Sequence, residues 1–337
     1  MQMTRRDAAG ANSPQRMAAL VAGCLLLAGA MLWTTQRAHA QSYPNKPIKL
    51  VVGNVAGGTT DLLGRIIADG LKSRLGQPVV VENRVGAASL VGLEYLMKQP
   101  ADGYSLICSA SSISTLNILN RNATYDAARD FTPIAGITIA PFLVMVRSDF
   151  PAQNLAEFVA YAKANPGKIN VGATGSGSFD HLAGTAFALK SGTKMTWIAY
   201  KGESGALPDL VAGRVDVMFL QWGTTGPHVA SGKVRVLASM SAARDPKLNI
   251  PTATELGTPV EAAAWFALFG PAGVPKDIVD LLNRETNAVL RGTDAQERIH
   301  AVYQQPMLMT PGELGALVRS SAETWGTVIK AANLKVE

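Results

Sequence analysis

Two stretches carry glycine, hydroxyl and backbone N–H groups at a spacing suited to a carboxylate or phosphate: Gly57-Gly58-Thr59-Thr60-Asp61 and Thr174-Gly175-Ser176-Gly177-Ser178. Each follows an apolar β-type run, 48–52 in the first case and 169–173 in the second, and each leads directly into a helical pattern. A strand, a Gly-rich turn and a helix aim unpaired N–H groups and the positive helix end at a ligand. Gly57 and Gly58 leave room for a ligand to approach the backbone, while Thr59, Thr60 or Asp61 can cap the helix. An ordinary βα turn has the same signature, with Ser178 as its cap in the second case. His181 lies three residues into the second helix, where it either hydrogen-bonds a ligand or packs.

Further polar residues fall at the same predicted edge, beyond the carboxyl ends of the strands. Ser109 and Ser111 close the strand 104–109. Tyr200, Lys201 and Gly202 close the strand 195–200, and Gln221 and Trp222 follow the strand 215–220. Lys201 is either an anion contact or a solvated charge, and Trp222 a lid or a core residue.

Several chemistries are missing. The four histidines, at 39, 181, 228 and 300, are far apart, and no His/Cys/Asp/Glu spacing matches a zinc or facial-triad site, so no metal and no cofactor is expected. Ser176 and Ser178 lack the second glycine of a nucleophile elbow. Gly175-Ser176-Gly177 fails the dinucleotide fingerprint, and no phosphate-binding loop with a Gly-Lys-Ser/Thr ending occurs. A secreted hydrolase would need His181 to serve Ser178 with an acid in support, and no such acid is evident. Of the two cysteines, Cys108 sits in a buried-strand pattern and reads as an inert core thiol.

These groups need a scaffold, and the first forty residues do not supply it. Arg5, Arg6 and Arg16 precede an apolar run over 17–33, and Ala38-His39-Ala40 is a small-residue cleavage site, so 1–40 reads as a secretory signal peptide. A lipoprotein box at Cys24 is the lesser reading. Cleavage removes four arginines and one aspartate, which lowers the formal charge from +6 to +3. No basic cluster remains for nucleic acid. The remaining chain, from Gln41, contains one cysteine, cannot form an internal disulfide and has the length of two domains. It alternates strands and helices, which predicts βαβ units and mostly parallel sheets. One series runs over 48–112 and a second over 169–239, with helices over 276–290, 294–303 and 311–332 closing the chain. Two α/β lobes facing each other describe a cleft-binding protein.

The ordered motifs resemble the Bug-type extracytoplasmic solute receptors of tripartite tricarboxylate transporters. The likeness runs over essentially the whole mature chain. It includes Tyr43-Pro44 with Lys46-Pro47-Ile48, Gly57-Gly58 with Asp61 and Arg65, Glu82-Asn83-Arg84 with Gly86-Ala87, and Ala101-Asp102-Gly103-Tyr104. It continues through Asp130-Phe131 with Pro133-Ile134, Gly175 with Gly177-Ser178 and His181-Leu182-Ala183-Gly184, Tyr200-Lys201-Gly202, and Asp209-Leu210 with Val215-Asp216. The resemblance implies an α/β, two-lobed type II periplasmic-binding-protein fold with a ligand cleft between lobes. Lobe 1 would comprise 41–141 and 266–337 and lobe 2 residues 142–265, with hinge crossings near 140–142 and 264–266. It points to Gly57, Gly58, Thr59 and Asp61 from one lobe and to Gly175, Ser176, Ser178 and His181 from the other, beside Thr174. Ser109, Ser111, Tyr200, Gly202 and Gln221 are secondary candidates.

The family's aromatic–proline lead-in to the first glycine pair is here Asn54-Val55-Ala56, and its frequent acidic residue after the 217–219 strand is replaced by Leu220-Gln221. Gln221 cannot supply the charge that would receive a ligand ammonium. The implied ligand is therefore a small organic anion without an amino group, a di- or tricarboxylate or an aromatic acid. The implied partners are membrane permease subunits, and a periplasmic monomer is expected. A ligand sensor feeding a signalling partner is the alternative within the binding class.

Overall fold

The computed structural model describes residues 43–120, 122–200, 202–245 and 247–334; the signal segment, Cys24 and Lys201 lie outside the described residues. Lys46–Glu337 forms one unit, and of the separate unit Met1–Asn45 only 43–45 are described.

The first sheet begins with β1 (Ile48–Val52), whose Ile48, Leu50, Val51 and Val52 are all fully buried. Helix α1 (Thr59–Leu75) follows and ends on Gly76, whose left-handed backbone lets its N–H bond Lys72 O. Strand β2 (Val79–Asn83), helix α2 (Leu90–Met97) and β3 (Ser105–Ala110) complete the first βαβ series. Strand β4 (Phe131–Pro141) runs on into β5 (Leu143–Arg147) through the single residue Phe142.

The second sheet then takes over. Its order of elements is α3 (Leu155–Ala164), β6 (Asn170–Ala173), α4 (Phe179–Ser191), β7 (Thr196–Ala199), α5 (Glu203–Val211), β8 (Val217–Leu220), α6 (Trp222–Ala230) and β9 (Val234–Ser239). The chain returns as β10 (Ala263–Pro271) and closes with α7 (Lys276–Arg291), α8 (Thr293–Ala301), the short β11 (Gln305–Pro306) and α9 (Pro311–Ala331).

The sheets are ordered β11-β4-β10-β3-β1-β2 and β7-β6-β8-β5-β9. They are mixed rather than mostly parallel. In the first, β10 and β11 run against the other four strands; in the second, β5 alone does. The cause lies in the connections. Parallel neighbours need a crossover, usually helical, and the described residues of the passages through Phe142 and through 240–262 include no helix to turn the chain.

Those two passages are stitched together. Phe142 N–H donates to Ala262 O (3.0 Å), Met240 N–H to Phe142 O (2.8 Å) and Ala262 N–H to Met240 O (2.8 Å). Ala263, Ala264 and Trp265 already pair with Pro141, Ala140 and Ile139 in the first sheet. The return crossing therefore precedes Ala263, just ahead of the expected 264–266.

Each sheet has its own core. Val51, Leu93, Ile107, Trp265 and Phe269 belong to one, and Leu143, Met145, Leu210, Val215 and Met218 to the other. At about 1.5–3 kcal/mol per fully buried large side chain, each core can hold its sheet and helices as a unit. Close packing of α4 onto the second sheet depends on Gly184, where an added Cβ would meet Phe219 at 2.4 Å and Trp197 at 2.5 Å.

Candidate functional site

Both Gly turns open on one cavity of about 380 Å³. Four helices begin at its wall. Gly58 and Thr59 start α1, Ser178 and Phe179 start α4, Glu203 starts α5, and Gln221 precedes α6. None of the four has a side-chain cap on its first N–H groups. Elsewhere Asn154 caps α3 by accepting from Glu157 N–H and Thr310 caps α9 in a full capping box, while α2, α7 and α8 also begin without a side-chain cap. A helix end without a cap leaves its N–H groups for water or a ligand, at the positive end of the dipole.

The first turn is braced from below. Asp61 is 3% exposed. Its Oδ2 accepts from Gly57 N–H at 2.9 Å and from Arg65 Nε at 3.0 Å. Its Oδ1 accepts from Arg65 Nη2 at 3.0 Å and Asn83 Nδ2 at 2.9 Å. Burial pushes this carboxyl pKa up, but the Arg65 pair, the Gly57 N–H and Asn83 outweigh it and hold it at about 2. The Asn83 amide also donates to Asn54 O at 3.0 Å, which fixes the loop ahead of the glycines. Asp61 does not line the cavity; it shapes the turn that does.

A parallel arrangement holds the second turn. Asp180 accepts from Thr174 N–H (2.7 Å) and Thr174 Oγ1 (2.6 Å), Ser178 Oγ donates to Gly175 O (2.7 Å), and His181 Nδ1 accepts from Gly177 N–H (3.0 Å). Gly177 takes φ +73°, a backbone state glycine adopts without strain. His181 is 7% exposed and lies 4.5 Å from the Trp197 ring. Burial lowers its pKa, with the Asp180 charge opposing, and the bond from Gly177 requires an unprotonated Nδ1. The Ser178 hydroxyl and His181 Nδ1 thus bond Gly175 and Gly177, not each other.

Of the expected residues, Gly57, Gly58, Thr59, Thr174, Ser178 and Gln221 line the cavity. Gly175, Ser176 and His181 are not among the lining residues; Ser176 is exposed in the turn, and His181 lies in the first turn of α4. Tyr200 is drawn away, its hydroxyl donating to Asp209 at 2.6 Å, while Gly202 N–H closes the turn on Thr174 O at 2.8 Å. Ser109 and Ser111 are buried at the end of β3, outside the lining, and the Ser111 hydroxyl has no partner. Trp222 packs near Tyr303, with ring centroids 5.6 Å apart.

The cavity also uses Phe142, Phe179, Leu220, Gly223, Val302 and Gln304, which sequence reading did not single out. Phe142 stacks on Phe179 at 6.1 Å, and Phe179 meets Trp325 edge-on at 4.8 Å, so one wall is aromatic. None of the described lining residues is a lysine, arginine or histidine. A larger cavity of about 570 Å³ lies along the stitched crossing, but no helix begins among its lining residues.

Residues 63–334 match the model of the tripartite tricarboxylate transporter family receptor, TctC. BugT of Bordetella pertussis is 32% identical over 302 residues, covering 88% of this chain and 93% of BugT. The R. palustris protein Rpa4515, solved with adipate, superposes with a TM-score of 0.77 at 33% identity, covering 87% of this chain and 99% of that one. The periplasmic binding protein BugD superposes with a TM-score of 0.75 at 33% identity, covering 88% and 100%. With this two-lobed fold and these likenesses, the chain belongs to the TctC family of tripartite tricarboxylate transporter receptors, the Bug-type solute-binding proteins.

Proposed function

We propose that this chain is a periplasmic, non-enzymatic receptor that captures a small organic carboxylate in the 380 Å³ cavity and delivers it to membrane permease subunits. The observation that carries this reading is the convergence of four uncapped helix starts, one from the first sheet's lobe and three from the second's. Carboxylate oxygens at Gly58-Thr59 and at Ser178-Phe179 complete those helix ends as a capping side chain would. The adipate bound by the similar R. palustris protein fits the same chemistry, a flexible dianion with an acceptor at each end.

Lobe 1 in this reading takes the chain up to Pro141 and from Ala263 onward, and lobe 2 the part between. The lobes close by bending at Phe142, Met240 and Ala262, and closure is favoured because the ligand bonds both lobes at once only in the closed state. Gly57, Gly58, Thr59, Thr174, Ser178 and Gln221 contact the ligand; Asp61, Gly175, Ser176, His181 and Gly202 shape the turns.

A thermal-shift screen of the mature chain against organic acids, amino acids and amides tests the proposal. Ligand at 100 times its dissociation constant stabilises the native state by about 2.7 kcal/mol. A shift confined to carboxylates, with no product formed, is expected. Thr59→Phe combined with Ser178→Phe should abolish it. Unchanged binding by that double variant would overturn the site.

A further inference from the structure

A groove of about 560 Å³ crosses from one lobe to the other beside the solute cavity. Asp245, Lys247 and Leu248 form its bank in the second lobe, on a loop anchored to that lobe's core through Ile250. The facing bank is the first-lobe stretch after α8, with Tyr303, Gln304 and Gln305. Asp245 joins the two. Its Oδ2 accepts from Gln305 Nε2 at 2.7 Å, and its Oδ1 accepts from the N–H groups of Lys247 and Leu248 at 2.7 and 3.1 Å. Lys247 is exposed, and within the described residues no hydrogen bond or ion pair engages its ammonium. Gln304 also lines the solute cavity, where its Nε2 donates to Gln221 Oε1 at 3.1 Å, so a single side chain stands between the two spaces.

Tyr303 occupies a position where a helix end asks for glycine. Helix α8 closes with Gln304 N–H bonding Ile299 O (3.2 Å) and Tyr303 N–H bonding His300 O (2.9 Å), a pattern whose residue just past the helix end is left-handed. Helices α1 and α4 end on left-handed glycines, Gly76 and Gly192. Here a tyrosine adopts φ +54°, against the steric preference of a residue with a Cβ. Contacts with the opening of α6 hold the segment: the Tyr303 and Trp222 rings lie 5.6 Å apart, and an added Cβ on Gly223 would sit 2.7 Å from Val302 O. Yet the tyrosine remains 47% exposed, so packing alone does not account for it. Strain of this kind persists where it pre-sets a side chain for recognition.

We infer that this groove is the docking site for a membrane permease subunit, which lays into it an acidic periplasmic segment carrying an apolar side chain. The apolar group packs on Tyr303 and Leu248, and the acid pairs with Lys247. The inference rests on the proposed solute-receptor function and names the surface that serves delivery. A tyrosine already held in one orientation is a strong anchor, because little side-chain freedom remains to be lost on binding. Lys247 at the rim contributes steering and register more than affinity. The banks belong to different lobes, so the groove has its full shape only when the lobes are together. A partner that fits it distinguishes loaded receptor from empty, and solute and partner strengthen each other's binding by the same factor.

The test is co-sedimentation of the mature receptor with right-side-out membrane vesicles of the bacterium that produces it, with and without saturating adipate. Docking should be saturable, weakened by salt, and about tenfold tighter with adipate. Carbodiimide, which joins an amine to a carboxylate in contact with it, should link Lys247 to an acidic residue of a multi-spanning membrane subunit identified by peptide mapping. Tyr303→Gly removes the ring and relieves the left-handed backbone, and Lys247→Glu reverses the charge. Both should keep the wild-type thermal midpoint and adipate affinity nearly unchanged, while docking at saturating adipate weakens, by about tenfold or more for Tyr303→Gly. A ring that served packing alone would lower the thermal midpoint and leave that docking intact. Variants that dock like wild type, docking that ignores adipate, or linkage of Lys247 to a soluble protein or a second copy of the receptor overturns this inference alone. A wild type that binds neither adipate nor its shorter and longer homologues overturns the proposed function and this inference with it.

Discussion

Gly223→Ala puts a single methyl group where the two lobes meet. The new Cβ would lie 2.7 Å from Val302 O, whereas a comfortable C···O contact is roughly 3.3 Å or longer. The atom on the other side is main chain, which cannot rotate away, so α6 and the 302–304 segment must separate by about half an ångström. That displacement stretches the 3.1 Å bond between Gln304 and Gln221 towards its limit. Overpacking of this kind costs about 1–3 kcal/mol. Alanine favours the helix over glycine by up to about 1 kcal/mol, and this gain is the same in open and closed forms. In the proposed hinge closure this contact is made only when the lobes come together, so the penalty falls on the closed form. Ligand dissociation constants should rise by about 5- to 150-fold, while the ligand-free protein unfolds at an unchanged or slightly higher temperature. Titration calorimetry and ligand-free thermal unfolding measure the two quantities separately. An unchanged dissociation constant would show that 302–304 and α6 do not meet in the ligand-bound form, and the reasoning would fail.

Other perturbations follow from the braces beneath the turns. The Asp61 carboxyl, at about 2 against an ordinary 3.8, is lower in the folded chain than in the unfolded one. Its contribution, about 1–2 kcal/mol with the half-exposed Arg65 discounted, is complete above about pH 4 and lost as pH falls towards 2. Urea unfolding of Asp61→Asn at about pH 5 and about pH 2.5 should show that share of the acid sensitivity gone. His181 has its folded pKa below the ordinary 6.5, so the stability gained from the neutral ring is complete above about pH 6.5 and declines on acidification. In His181→Gln the thermal midpoint should fall less between about pH 7 and pH 5 than in wild type. Gly184→Ala drives a methyl into Phe219 and Trp197 and should destabilise by about 1–3 kcal/mol in chemical unfolding.

The parts of the site readable from sequence are those built from local chemistry. Gly57-Gly58 and Thr174–Ser178 announce themselves because a buried run, a turn and a helix are adjacent in the chain, and Asn154 marks its helix start for the same reason. Gln304 had no such signal. It reaches the cavity only because the chain returns to the first sheet, and its partner Gln221 lies 83 residues away. Helix α6 was equally hidden, since Trp222-Gly223-Thr224-Thr225-Gly226-Pro227 is poor in helix formers and its burial comes from tertiary packing. Strand directions could not be read from alternation alone. Whether β5 and β10 run with or against their neighbours depends on connections without helices. Asp61 and His181 were expected to contact the ligand; their side chains instead bond Gly57 and Gly177, and residue type alone could not say which way they would face.

Phe142 joins two roles that binding proteins can keep apart. Its main chain carries the bonds to Ala262 and Met240 at the crossing, and its ring forms part of the cavity wall against Phe179. In the proposed closure the axis of bending therefore passes beside the bound solute. A surface on the axis sweeps through almost no distance as the lobes swing, whereas the meeting of 302–304 with α6, off that axis, moves with a longer lever arm. A solute resting on Phe142 keeps its place while the far wall comes to it. Each additional methylene then holds the jaws apart by a small angle that grows into a wider gap at the rim. In the proposed function, molecular length would be converted into an opening angle, and a permease subunit docking across both lobes would measure the cargo without touching it.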